Sequence, residues 1–244
     1  MQLEVRNLVK HFGGIQALNG ISLTLSGSEL VGMMGPNGSG KTTLVNVING
    51  IYRADAGSVW FNGQEITHLK PHQVVQRGIG RTFQVPRAFR RMTVLENLLV
   101  PALAVRPDLG RRQCEARARE VLDFLTMYHL RDDYARSLSG GQQKLLELGQ
   151  LLMTDATLML LDEPFAGVHP KLVDTIMKFI LTLHAQGKAF LIISHDLEYI
   201  FTLSRRLIVL SYGDIIADGD PQVVKHDERV IEAYLGEEDA SVRD

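Results

Sequence analysis

The chain has a single cysteine, Cys114, among 244 residues. No intrachain disulfide can form, which suits a reducing cytosol. Neither sign of charge is in excess: 26 Lys and Arg against 28 Asp and Glu leave a formal net charge of −2. That argues against binding nucleic acid through bulk charge, while leaving room for a local basic patch. No apolar run approaches the roughly 18 residues needed to span a bilayer. If the protein works on a membrane, other chains must supply the membrane part. The start, Met1-Gln2-Leu3-Glu4, has no basic region followed by an apolar one, so no signal peptide is expected. Internal repeats and low-complexity tracts are missing too. What remains is a composition of 45% hydrophobic and 22% charged residues, ordinary for a soluble globular domain with a substantial core.

The periodicity places β segments at residues 2–10 and 18–25, where Leu3, Val5, Ile21, Leu23 and Leu25 alternate with polar residues. Ser58 to Phe61, Asn62-Gly63 and Gln64 to Ile66 read as a hairpin with an Asn-Gly turn. Leu30 to Met34, Leu158 to Leu161 and Ala189 to Ile193 are buried-strand runs. Helices are expected at Thr42 to Asn49 and Leu172 to Gln186. This alternation implies an α/β fold with a parallel sheet covered by helices and a flanking antiparallel β region. Between Phe89 and Leu138 the β signal disappears, and Thr93 to Val105 and Gln113 to Tyr128 look helical. We therefore expect one domain over residues 1–235, with a helical subdomain at about 86–154 inserted in the α/β core. The residues from 236 to 244 form a polar, acidic tail expected to fray.

Gly35-Pro36-Asn37-Gly38-Ser39-Gly40-Lys41-Thr42-Thr43 follows an apolar strand and has every fixed position of a phosphate-binding loop. Its glycines let successive N–H groups turn inward around phosphates, and the helix opening near Lys41 adds its positive end. Lys41 is expected to reach the β- and γ-phosphates, and the Thr42 hydroxyl to bind Mg²⁺. This loop alone leaves the machine open, since kinases, GTPases and motor ATPases share it. About a hundred residues later, Leu138-Ser139-Gly140-Gly141-Gln142 opens a second helix, with Leu145, Leu148, Leu151 and Leu152 on one face. Ser139 as an N-cap explains why a helix starts there. It does not explain Gly140-Gly141, which cost helix propensity but permit close approach of a phosphate.

With Leu160-Leu161-Asp162-Glu163-Pro164 and Ser194-His195-Asp196 following in order, the chain resembles the ATP-binding cassette (ABC) ATPases, the motor subunits of ABC transporters. The likeness runs from about residue 3 to residue 220. It implies a P-loop ATPase core using ATP and Mg²⁺. Asp162, otherwise readable as a turn aspartate, becomes the acid that holds Mg²⁺ with Thr42. Glu163 becomes the general base that activates water. His195, 33 positions after Asp162, becomes the switch histidine on the γ-phosphate rather than a packed side chain. Gln84, in Arg81-Thr82-Phe83-Gln84, becomes a catalytic sensor of γ-phosphate and Mg²⁺, and Phe12 the adenine-stacking aromatic. A surface glutamine and a core phenylalanine are the plainer alternatives. Ser139, Gly140, Gly141 and Gln142 would meet ATP held by a second cassette, so the resemblance implies a head-to-tail dimer.

Within that family, Arg77 to Gln84, Met92 to Asn97, Val230 to Gly236 and His11-Phe12-Gly13-Gly14 look like the cassettes of branched-chain amino acid importers. This implies two transmembrane permease subunits, a solute-binding protein, no nucleic acid, and a place on the cytoplasmic face of the inner membrane. The chain departs from the group in Leu-Ser-Gly-Gly-Gln where Pro-Tyr-Gly is frequent, in His169 where Asp or Asn is usual, and in Gly149-Gln150. A lipopolysaccharide-type export ATPase shares the compact single-cassette layout. A non-transport ABC ATPase acting on DNA or ribosomes is the other alternative, but coiled-coil arms, paired zinc-type cysteines and a second cassette are missing. The segment from Val85 to Arg91, with Phe89 among arginines, would receive a permease coupling helix, or else is a solvated basic loop.

Overall fold

Two sheets share one interior. The computed structural model describes residues 1–83, 88–105 and 109–241, with side chains as far as Tyr234. β1 (Gln2–Phe12) and β2 (Ile15–Ser26) pair antiparallel and bury Leu3, Val5, Leu8, Ile21, Leu23 and Leu25. β3 (Leu30–Met34) is buried at every residue and leads through the phosphate loop into α1 (Lys41–Ile48). β4 (Ala56–Phe61) and β5 (Gln64–Glu65) flank Asn62-Gly63, whose φ values of +50° and +76° suit the primed turn of a tight hairpin. After α2 (Pro71–Gln76) and β6 (Ile79–Arg81) come α3 (Val94–Val105), α4 (Arg111–Phe124) and α5 (Gly140–Leu152). The remainder is β7 (Leu158–Asp162), α6 (Pro170–Ala185), β8 (Ala189–Ile193), α7 (Leu197–Leu203), β9 (Arg206–Ser211), β10 (Asp214–Gly219), α8 (Pro221–Val224) and α9 (Glu228–Ser241).

The first sheet has the order β2-β1-β4-β5, all antiparallel. The second is β10-β9-β3-β8-β7-β6, parallel except for the edge strand β10. Strand alternation divides the core. Leu158 and Leu160 of β7 face α1 and the antiparallel sheet, whereas Met159 and Leu161 face the cluster built by α3 to α6. The expected α/β class and the flanking antiparallel region are what the structure has. Among the described residues no helix is long and apolar enough to cross a membrane.

Several boundaries differ from the sequence reading. α4 stops at Phe124, because Thr126 turns left-handed (φ +57°) and a short 3₁₀ turn follows at Tyr128–Leu130. The tail expected to fray from Gly236 is helical to Ser241. Glu237, Glu238 and Ala240 favour helix, and no proline intervenes before Ser241. β6 and the β9–β10 hairpin went unread. β6 is only three residues long and contains Gly80, too short for a period to show.

The β1–β4 register slips between Arg6 and Val9, where Asn7 has φ +46°. Gly57 (φ +82°) faces that bulge, and a Cβ there would lie 2.3 Å from the Asn7 carbonyl oxygen and 2.5 Å from that of Arg6. Both obstacles are backbone. Gly57→Ala is therefore expected to cost roughly 1–3 kcal/mol. A lower urea midpoint at unchanged slope would register it; an unaltered midpoint would mean the bulge relaxes freely.

Candidate nucleotide site

Parallel pairing aligns the ends of three strands. Met33 of β3 lies beside Ile193 of β8, and Ile193 beside Asp162 of β7. The loops after β3, β7 and β8 therefore open on one edge of the sheet, where α/β folds hold ligands. They border a cleft of about 230 Å³ lined by Asn37 to Thr43, Asp162, Glu163 and Ile193.

The loop before α1 turns on Gly40, left-handed at φ +106°, where a Cβ would stand 2.5 Å from the Ala17 carbonyl of β2. Only glycine lets the loop lie this close to β2. The Lys41 ammonium donates to the carbonyls of Gly35 and Pro36, both at 2.7 Å, and to Ser39 Oγ at 3.1 Å. The lysine thus spans its own loop and brings its charge to the cleft lining.

Opposite it, Glu163 is 8% exposed and left-handed at φ +51°. Its N–H donates to the Ile193 carbonyl at 2.9 Å, which fixes the turn. Its carboxylate accepts from His195 twice: from the ring at Nδ1, 2.8 Å, and from the backbone N–H, 3.1 Å. The imidazole is otherwise largely exposed; it does not line the cleft itself and meets it through Glu163, which does. Asp162 is buried, and burial pushes its carboxyl pKa up, against the pull of the Arg81 guanidinium 3.4 Å away. Arg81 also bonds Asn46 Oδ1 and the Thr82 carbonyl, and Thr82 Oγ1 accepts the Asp162 N–H.

Thr42 and Asp162 face the same cleft, one hydroxyl and one carboxylate. Such a hard oxygen pair suits Mg²⁺ whose remaining ligands are phosphate oxygens and water. Among the described residues no three His, Cys, Asp or Glu side chains are grouped to hold a metal unaided. The donor set fits an ion that arrives with a triphosphate.

Not all the expected residues meet here. Ser139 caps α5 in a reciprocal box: its N–H donates to Gln142 Oε1 at 2.9 Å, and Ser139 Oγ accepts the Gln142 N–H at 3.4 Å. Ser139 and Gly140 are exposed, Gln142 is half-buried and Gly141 buried, and none of the four signature residues lines the cleft. Phe12 is 43% exposed and lies edge-on to Tyr52, ring centroids 5.1 Å apart. It is a surface aromatic, not a core one. Gln84, and Val85 to Arg87 of the basic segment, lie outside the described residues. His169 caps α6, its Nδ1 accepting the Lys171 N–H at 3.3 Å. It does there what Asp or Asn would do.

The sequence reading missed Lys144 and Glu147, both on α5. Lys144 donates to the Glu163 carbonyl, and Glu147 accepts the Phe83 N–H at 2.7 Å. Two charged residues three apart on an otherwise leucine-rich helix were the available signal. Burial raises the Glu147 pKa to about 7, with the Phe83 N–H and then Lys144 opposing. Between its ordinary 4.5 and that value, the folded chain keeps a proton the unfolded chain has released. The stability from this group is full below the lower pKa and falls as pH rises through the upper one. Glu147→Gln removes the titration. The stability of wild type relative to Glu147→Gln is expected to fall by on the order of 3 kcal/mol across that window. Urea unfolding of both chains from pH 4.5 to about 7 checks this, and a constant difference would contradict it.

The geometry has counterparts. The sequence profile of the ABC transporter family matches residues 18–166, and that of the branched-chain amino acid ATP-binding cassette transporter matches residues 215–240. The chain is 38% identical to the probable branched-chain amino acid transport ATP-binding protein LivG of Archaeoglobus fulgidus, covering 98% of this chain and 97% of that one. It is also 38% identical to the lipopolysaccharide export system ATP-binding protein LptB of Haemophilus influenzae, covering 97% and 98%. A solved nucleotide-free ATP-binding cassette of an ABC transporter superposes with a TM-score of 0.86 at 39% identity, over 96% of this chain and 99% of that one. A bacterial ABC transporter cassette solved as a dimer does so with 0.83 at 26% identity, over 90% and 98%.

Proposed function

The chain belongs to the ABC transporter ATP-binding family and is an ATPase of that family, and from this premise we propose that it drives an importer of branched-chain amino acids or a related small polar solute. The observation that carries the importer reading is the match of residues 215–240 to the C-terminal segment of branched-chain amino acid cassettes. That segment lies beyond residues 18–166, which the general ABC transporter profile matches, so it bears on the kind of transporter. A second reading, lipopolysaccharide export, draws on the equal identity to the LptB protein.

On this reading the loop from Gly35 to Thr43 binds the ATP phosphates, and Phe12, with Tyr52 at its edge, stacks on adenine. Thr42, Asp162 and Gln84 would hold Mg²⁺, which supplies charge neutralisation at the phosphates. Glu163 takes the proton of the attacking water at its carboxylate. His195, held by that carboxylate, presents its ring to the γ-phosphate. Ser139, Gly140, Gly141 and Gln142 complete the site of a second cassette, since they lie away from this chain's own cleft. ATP binding would close that head-to-tail dimer, and hydrolysis would reset it. Permease subunits would dock at the groove of about 270 Å³ between the sheet and α3, where Ile51, Val75, Phe83, Phe89 and Val100 present an apolar lining. That places the chain on the cytoplasmic face of the membrane, with a solute-binding protein on the other side.

Glu163→Gln is expected to keep ATP affinity and lose about 10²–10⁴-fold in turnover. In cells carrying only this variant, uptake of radiolabelled leucine, isoleucine and valine should stop while lipopolysaccharide still reaches the surface. Normal uptake with blocked lipopolysaccharide export would select the second reading.

Phe89 is 48% exposed at the groove and its backbone is held by Asn97. An aromatic anchor among arginines is a typical hot-spot composition. Phe89→Asp is expected to leave the ATPase rate of the isolated chain nearly unchanged, abolish co-purification with the permease and stop uptake. Undiminished uptake would move the docking surface elsewhere.

A further inference from the structure

Lys144 and Glu147 occupy one face of α5, three residues apart, behind the exposed Ser139 end of that helix. The Lys144 ammonium donates to the backbone carbonyl of Glu163. The Glu147 carboxylate accepts the backbone N–H of Phe83 at 2.7 Å. Thr82, one residue earlier, receives the N–H of Asp162 on its hydroxyl at 3.1 Å, and the Arg81 guanidinium stacks over the Phe83 ring at 4.6 Å. α5 is thus attached at one point to the peptide of Glu163 and at another to the strand exit that supports Asp162.

Glu163 needs such an attachment. Its left-handed backbone is a conformation that side chains other than glycine avoid. The Ile193 carbonyl holds its N–H, and Lys144 holds its C=O. With both ends of the residue pinned, the backbone from which the side chain departs is fixed, and the His195 N–H and ring then hold its carboxylate at the cleft. An ammonium buried for packing alone would be outperformed by Leu or Met of similar volume. A directed bond to one carbonyl is what the charge adds. Glu147 also lines the docking groove, so the carboxylate that holds Phe83 is within reach of whatever occupies that groove.

We propose that Lys144 and Glu147 are positioning residues for hydrolysis, through which the helix bearing Ser139 sets the aim of Glu163 in its own chain. This rests on the reading of Glu163 as general base. It adds a specific geometry: α5 presents Ser139 to the partner's nucleotide and controls, through Lys144, the base at its own. Each site then hydrolyses only when the helix that serves the other site is seated.

The test compares Mg-ATP kinetics of wild type, Lys144→Met and Lys144→Arg. Lys144→Met is expected to lower kcat by at least about tenfold, since a small misplacement of a reacting group is costly, and to leave KM for ATP within about twofold. Lys144→Arg can donate to the same carbonyl and should recover roughly a third or more of the wild-type kcat. An unaltered kcat in Lys144→Met, a KM change as large as the kcat change, or no recovery by Arg would each overturn the proposal. Mixed dimers add direction. A chain carrying both Ser139→Arg and Lys144→Met, paired with wild type, should keep no more than about a tenth of the activity of a Ser139→Arg and wild-type pair, because one composite site lacks its signature and the other its aimed base. Activity equal to that of a Ser139→Arg and wild-type pair would mean Lys144 acts in trans, contrary to the proposal. A wild-type chain without turnover would instead remove the parent reading.

Discussion

The parallel register of β3, β8 and β7 is the constraint on which the site depends. Side-by-side pairing of Met33 with Ile193 and of Ile193 with Asp162 leaves no freedom in where the following loops emerge. A slip of one residue in β7 would turn Asp162 to the other face of the sheet and separate it from Thr42. Burial on both faces guards against that slip, because Leu158 and Leu160 serve one core and Met159 and Leu161 the other. The apolar strands thus act as a ruler, and the polar residues that follow them inherit its accuracy.

Charge is concentrated where the ruler ends. Asp162, Glu163 and Glu147 are buried, and the half-buried Lys41, Arg81 and Lys144 stand near them. Burial is the main cause that pushes the Asp162 and Glu147 carboxyls up and the Lys144 ammonium down, and neighbouring carboxylates add to the rise at Asp162 and Glu147. A triphosphate with its metal brings both signs to this edge.

Much of this was legible beforehand, and the reasons differ by residue. The phosphate loop reads as a motif because glycine at a left-handed position and lysine at a helix start are local requirements, visible within nine residues. Asp162, Glu163 and His195 stood out through the resemblance of their motifs to the ABC cassettes; the structure brings Asp162 and Glu163 to one cleft and sets the His195 ring on the Glu163 carboxylate. β6 was not, since three residues around Gly80 carry no period. Lys144 and Glu147 were not either: their partners, Glu163 and Phe83, are 19 and 64 positions away, and only the tertiary fold makes those pairs. Phe12 shows the converse. Its exposure against Tyr52 could not be read from a strand end that resembles any other.

On the proposed function, one chain carries two half-sites, a phosphate cleft and a separate exposed helix start at Ser139, and a second cassette completes both. A crystal structure of the wild-type chain with Mg²⁺ and a non-hydrolysable ATP analogue measures this most directly. The expected result is a head-to-tail dimer in which the γ-phosphate touches Lys41 of one chain and Ser139 of the other. A nucleotide contacted by a single chain, with Ser139 left in solvent, would contradict the account.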